Sequence, residues 1–171
     1  AQEAIGQTKN IPKIDESLYI TMRDGAQIAV DVWVPSRNEG ETVPTLIRAT
    51  RYWRAFDGYP MSDPEAEFYF AQGYAVVQMD VRGTGASSGE RPIEWSPDEI
   101  ADFGEVVEWI VSQSWSNGSV GAWGVSYEGN TAEYVAIPNH PAVKAVAPLY
   151  SDFDPYWTNA FSGGVFDEWF I

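Results

Sequence analysis

The sequence predicts an α/β fold: a mostly parallel sheet with helices on both faces and an antiparallel hairpin at its N-terminal end. Three observations carry this. A period-2 hairpin pattern surrounds Asp24-Gly25, short apolar runs rich in β-branched residues alternate with segments of helical periodicity, and those helical segments carry their own start or stop signals. Alternation of this kind implies right-handed crossovers and a sheet buried on both sides.

Taken in order, "SLYITMRDGAQIAVDVWV" (17–34) alternates apolar and polar residues on both sides of Asp24-Gly25 and reads as two antiparallel strands. The polar "SRNEGETVP" is a loop, and "TLIRAT" is a buried strand that runs into the aromatic, basic stretch "RYWRAFDGYP". In "DPEAEFYFAQGY" a capping Asp63, Pro64 at the first helical position and Gly73 as the stop delimit a helix, and "AVVQMDV" follows as a strand. In "SPDEIADFGEVVEWIVSQSW", Ser96 caps, Glu99 closes a capping box, and Ile100, Phe103, Val107, Ile110 and Val111 share one face. Asp98, Asp102, Glu105 and Glu108 are then its solvated side. The chain continues as strand "SVGAWGV", helix "YEGNTAEYVAI" halted by Pro138, and strand "AVKAVAPLY". The aromatic, acidic "SDFDPYWTNAFSGGVFDEWFI" has no recognisable finishing element.

Composition narrows the function. At 171 residues the chain can bury one sizeable core. A formal net charge of -15 repels nucleic acid, and no Lys/Arg stripe exists to hold it. With no cysteine there are no disulfides, thiolate nucleophiles or Cys-ligated metals, and the single His140 cannot by itself build a His-rich zinc site, so a metalloenzyme would have to rest on carboxylates alone; no metal and no cofactor are expected. No apolar run is long enough to span a membrane. The start "AQEAIGQTKN", with neither an initiator Met nor an apolar leader, favours a signal-cleaved, extracytoplasmic protein, secreted or periplasmic. Eight Trp, nine Tyr and eight Phe supply both core and ligand-lining surface.

The chemistry centres on "GAWGVSYEGN" (121–130), which sets Ser126 between a strand and a helix. A serine hydroxyl needs a base to become a nucleophile, and a sharp turn that lifts its oxygen above the sheet makes room for base and substrate. A helix starting after Ser126 would aim the Tyr127 N–H at the same space as an oxyanion donor. The usual G-x-S-x-G is only partly met, because the second glycine comes three residues after Ser126. On local pattern alone two readings stay open: Ser126 as nucleophile, or Ser126 as an ordinary helix cap.

Several segments together resemble the family of X-Pro dipeptidyl-peptidases, cocaine esterase and α-amino-acid ester hydrolases, serine hydrolases with an α/β-hydrolase core. Its G-x-S-Y-x-G is matched by Gly124-Val125-Ser126-Tyr127-Glu128-Gly129, its D-x-R-G-x-G-x-S-x-G by Asp80 to Gly89, and its Arg-containing strand end leading to a Tyr by "IRATRYW". The resemblance implies Ser126 as nucleophile, the Tyr127 N–H as one oxyanion donor and the Tyr52 hydroxyl as the second. It also implies that residues 1–150 are the N-terminal part of the catalytic domain and 151–171 the start of a truncated cap insertion. The triad Asp and His would then lie beyond the chain, in the remaining part of the hydrolase, without which this segment is not an efficient enzyme and its last strand is an unpaired edge. The implied substrate is a small ester, amide or peptide: proline-directed dipeptide release, α-amino-acid esters and β-lactam amides, and aryl esters are all compatible.

His140, between Pro138 and Pro141, falls in the connection at the end of the sheet opposite the strand C-termini, where sites lie, and is not expected to be the base. Asp152 and Asp154 follow the last strand at the ligand-binding end, as loop acids or as partners of a histidine or substrate amine. The glycines of "DVRGTGASSG" begin a dinucleotide fingerprint, but prolines stand where its helix should start, so an ion pair of Asp80 with Arg82 shaping the loop is expected instead. Trp53, Phe56 and Tyr59 form an aromatic cluster suited equally to an acyl group or to packing against a cap. A catalytically silent binding module on the same fold, and a nucleotide-dependent oxidoreductase, are the alternatives to hydrolysis.

Overall fold

The hairpin expected at Asp24-Gly25 forms between β1 (Glu16–Thr21) and β2 (Gln27–Trp33). Gly25 takes φ 88°, its N–H donates to the Met22 carbonyl at 2.9 Å, and Asp24 Oδ1 accepts the Ala26 N–H at 3.0 Å. The computed structural model describes residues 14–55 and 64–168. The segment 1–10, the Asp63 cap, Phe56 and Tyr59 lie outside the described residues.

The remaining strands are β3 (Val43–Thr50), β4 (Ala75–Asp80), β5 (Ser116–Val125) and β6 (Val143–Leu149), with helices α1 (Pro64–Ala71), α2 (Pro97–Ser112) and α3 (Tyr127–Tyr134). They form one sheet in the order β1-β2-β4-β3-β5-β6. The β1–β2 and β2–β4 pairs are antiparallel, and β4–β3, β3–β5 and β5–β6 are parallel. Alternation along each strand sorts side chains to two cores. Ile47, Ala49, Val77, Met79, Val120 and Ala122 meet Phe103, Val106, Val107 and Ile110 of α2, while Val76 and Trp123 pack with Ala66 of α1 and Trp33. No helix among the described residues is long and apolar enough to cross a membrane.

The order matters for function. After β3 the chain steps to β4 on one side and returns to β5 on the other, so β3 and β5 are neighbours and their C-terminal ends flank the point where the winding reverses.

Four expectations are corrected. Asp102 is not on the solvated side of α2: it is 1% exposed and receives two bonds from buried Arg82, at 2.7 Å from Nε and 2.6 Å from Nη2. Burial pushes its carboxyl above the ordinary range while Arg82 pulls it down. Asp80 and Arg82 do not pair with each other, because the chain leaves the sheet between them. Asp80 turns to Arg54 (2.6 Å) and the Ala86 N–H (3.0 Å), and Arg82 turns the other way, to Asp102 and Asp24. Ser96 does cap α2 by accepting the Glu99 N–H, but the Glu99 carboxylate bonds the Trp95 N–H rather than closing the box. The helix expected after Ser126 is also shorter than its pattern, ending at Tyr134 with turns as far as Pro138. The last stretch forms a π-helical turn (Tyr156–Ala160) and a 3-10 turn (Ser162–Gly164).

Removing one member of a buried ion pair strands its partner's charge, which typically costs about 3–5 kcal/mol. Asp102→Ala is therefore expected to lower the free energy of unfolding by about 3 kcal/mol in urea titrations, and a loss below about 1 kcal/mol would show that Asp24 alone satisfies Arg82.

Candidate active site

β5 ends at Val125 and α3 starts at Tyr127, so the whole change of direction falls on Ser126, which takes φ 62°, ψ -126°. Non-glycine residues rarely occupy this region, and holding one there costs roughly 1–3 kcal/mol. Backbone bonds on both sides impose it: the Ser126 N–H donates to the Leu149 carbonyl of β6 at 2.9 Å, and the Ser126 carbonyl accepts the Asn130 N–H at 3.0 Å. The Ser126 side chain makes no capping bond to α3. Ser126 is exposed at the C-terminal end of the parallel strands.

The two motif glycines have a steric reason. A Cβ on Gly124 would run into the backbone carbonyl of Glu128, and one on Gly129 into the carbonyl of Leu149. The first allows α3 to fold back over β5; the second allows it to lie against β6. Gly129 stands three residues after Ser126 because it is the first turn of the helix, not the turn itself, that meets β6.

Side chains then fasten α3 to the sheet. Arg48 of β3 forms a two-pronged bond with Glu128, 2.8 Å from Nε and 2.9 Å from Nη2, and the Thr131 hydroxyl donates to the Ala49 carbonyl at 2.8 Å. Tyr127 is buried, and its hydroxyl donates to Glu99 at 2.5 Å and accepts from Arg91 Nη2 at 3.0 Å. Burial, reinforced by the Glu99 carboxylate, pushes this phenol well above its ordinary range, so it stays a neutral anchor. Trp95 stacks on its ring at 5.2 Å. The first amides of α3, including that of Tyr127, have no acceptor within the helix and lie next to Ser126.

Tyr52 follows β3 as Ser126 follows β5, and the strands are in register through Ile47 and Ala122. The topology thus sets both at the same end of neighbouring strands, and the Tyr52 ring meets the ring of Tyr127, the residue after Ser126, edge-on at 5.9 Å. The Tyr52 N–H donates to Thr50 Oγ1, and two residues on, Arg54 is locked to buried Asp80 and Asp31. Between them Trp53 has φ 71° and is exposed on the loop; with Ser126 and Trp95 (φ 54°) it is one of the non-glycine residues at positive φ around the site. A cleft of about 510 Å3 lies alongside, lined by Arg51, Arg91, Trp95, Pro155 and Tyr156 among others.

The other candidates fall elsewhere. His140 Nε2 lies 2.8 Å from Glu108, and its Nδ1 accepts the Ala142 N–H at 3.1 Å, just before β6 begins. Val143 pairs with Val120, so His140 is near the start of β5, and six residues of strand, roughly 20 Å, separate that end from Ser126. Asp152 bonds Asn130, Thr158 and Asn159, and Asp154 caps the turn at Tyr156, which are loop roles. The glycines of "RGTGASSG" sit in a loop with no helix until Pro97, so no helix start faces a dinucleotide there. No group of three or more His, Asp or Glu among the described residues is arranged to hold a metal ion. Reading the sequence missed Arg48 and Arg91 and gave Glu99 only a capping role, because their bonds to Glu128 and to the Tyr127 hydroxyl join residues remote along the chain.

The strand order, the parallel core and the strand–turn–helix at Ser126 define the α/β-hydrolase fold. The family model for X-Pro dipeptidyl-peptidase (S15 family) matches residues 24–171, and the chain belongs to that family. A protein of Mycobacterium bovis named as a candidate serine esterase is 43% identical over 170 residues, covering 90% of this chain and 27% of its own length. The cocaine esterase of a Rhodococcus species is 35% identical over 147 residues, covering 84% of this chain and 24% of its own. A solved CocE/NonD family hydrolase from Staphylococcus aureus superposes with TM-score 0.80 at 30% identity, covering 91% of this chain and 30% of that one. The chain thus spans about a quarter of the length of these curated relatives.

Two substitutions separate steric need from strain. Ser126→Gly removes the cost of the positive φ and is expected to raise thermal stability by about 1 kcal/mol, whereas Gly124→Ala is expected to cost more than about 2 kcal/mol by driving α3 off β5. If calorimetry finds Ser126→Gly destabilising, the turn at Ser126 is not strained.

Proposed function

We propose that the full-length protein is a serine hydrolase that cleaves an ester or amide through an acyl-enzyme on Ser126. The observation that carries this reading is the exposed Ser126 in a strained turn at the switch point of the sheet, with Tyr52 packed against the ring of the next residue, Tyr127. A serine is kept at φ 62°, where glycine would be less strained, and this supports a role for its hydroxyl.

In the proposed reaction Ser126 Oγ attacks the carbonyl carbon and gives up its proton to a base. His140 sits at the wrong end of the sheet, so the base and its orienting carboxylate are assigned to the rest of the full-length protein. As the carbonyl oxygen becomes an oxyanion, the Tyr127 N–H and the Tyr52 hydroxyl donate to it. The neutral, anchored Tyr127 phenol keeps that amide in place. Collapse of the intermediate expels the alcohol or amine, which takes the proton back from the base. Water, deprotonated by the same base, then attacks the acyl-enzyme and frees Ser126. Esters are the favoured substrates, supported by 43% and 35% identity to proteins named as esterases.

The test is hydrolysis of nitrophenyl esters by the full-length protein. Ser126→Ala should abolish turnover, and Tyr52→Phe should lower kcat by about 10²- to 10³-fold with little change in KM, because the bond it removes exists only once the oxyanion forms. An unchanged kcat in Tyr52→Phe rejects that residue's role. Persistent turnover in Ser126→Ala rejects the mechanism.

A further inference from the structure

Arg51 stands against the rings of Tyr52 and Tyr127. Its guanidinium carbon lies 5.0 Å from the centre of the Tyr52 ring and 4.9 Å from that of Tyr127, and its Nη2 donates to the Tyr52 hydroxyl at 3.3 Å. Nη1 pairs with Glu94, on the loop that also lines the neighbouring cleft. The contact with Tyr52 has only one polarity. A guanidinium has donors and no acceptor, so the phenol oxygen must accept, and the single hydroxyl proton of Tyr52 is left to point elsewhere. Among the described residues no acceptor takes it. A phenol that accepts from a cation also becomes a stronger donor, because the positive charge polarises its O–H bond.

From this geometry we infer that Arg51 is a positioning residue for oxyanion stabilisation: it orients the Tyr52 hydroxyl proton toward the carbonyl oxygen of the substrate and strengthens that donor. The inference rests on the reading of Ser126 and Tyr52 given above. Arg51 touches no reacting atom; it works through Tyr52. Its own support is independent of Tyr52, since Glu94 holds one end and the face of Tyr127 holds the plane. Glu94 also lies 3.6 Å from Arg91, so removing Arg51 does not leave this carboxylate without a cation. A purely structural Arg51 would help the enzyme whether or not residue 52 carries a hydroxyl. A positioning Arg51 would matter only when it does.

A double-mutant cycle in the full-length protein separates these, with kcat and KM measured on a nitrophenyl ester for wild type, Arg51→Met, Tyr52→Phe and the double variant, and Ser126→Ala as reference. The expected result is about a tenfold lower kcat in Arg51→Met with KM within about twofold, and no further loss when Arg51→Met is added to Tyr52→Phe. Should Arg51→Met fail to fold, Arg51→Lys, which keeps the charge but not the planar fork, is expected to show the same dependence on Tyr52. Equal losses with and without the Tyr52 hydroxyl, or no loss at all, overturn the role of Arg51 alone. Turnover that survives in Ser126→Ala overturns the underlying mechanism and this inference with it.

Discussion

Everything at the candidate site depends on one constraint: the backbone must reverse within a single residue between β5 and α3, and that residue is a serine. The reversal forces Ser126 to φ 62°, brings the carbonyl of Glu128 against Gly124, and lays the first turn of α3 on Leu149. Any side chain at 124 or 129 would push the helix away and relax the turn. The exposure of Ser126 and the nearness of the Tyr127 amide follow from that close approach.

A strain of roughly 1–3 kcal/mol persists only if its surroundings outweigh it. Ordinary hydrogen bonds contribute about 0.5–1.5 kcal/mol each, so the bonds Ser126 makes to β6 and to α3 go part of the way. The Arg48–Glu128 pair, the Thr131 bond to β3 and the Tyr127–Glu99 bond complete the hold, each from a different element. Helix α3 is therefore fixed to β3, β6 and the start of α2 at once. The same anchoring sets the geometry for Tyr52 and Arg51, because both lean on the ring of Tyr127.

Local signals carried the fold, and pairings between distant residues escaped them. The Asp24-Gly25 hairpin, the Ser96 cap and the alternation of strands with helices are written in neighbouring residues, and each forms as read. The turn at Ser126 was legible because glycines at fixed offsets record a close approach of backbones. By contrast, Asp102 looks like one more acid on a wet helix face until Arg82 arrives from the loop after β4. The pairing expected between Asp80 and Arg82 failed for the same reason: adjacency along the chain says nothing about which way two side chains leave a turn. Glu128 is the unspecified position in its motif, yet its carboxylate meets Arg48 across 80 residues of sequence. Tyr52 came from resemblance, and its position beside Tyr127 follows from strand order, which no single segment encodes.

The most direct measurement is intact and peptide mass of the full-length protein after treatment with a fluorophosphonate. A strained, exposed and activated Ser126 predicts one adduct, mapped to the peptide containing "GVSYEG", that is absent when residue 126 is alanine. An unmodified protein, or an adduct on a different serine, would contradict the account, because it would mean that the turn at Ser126 is held for a reason other than nucleophilic attack.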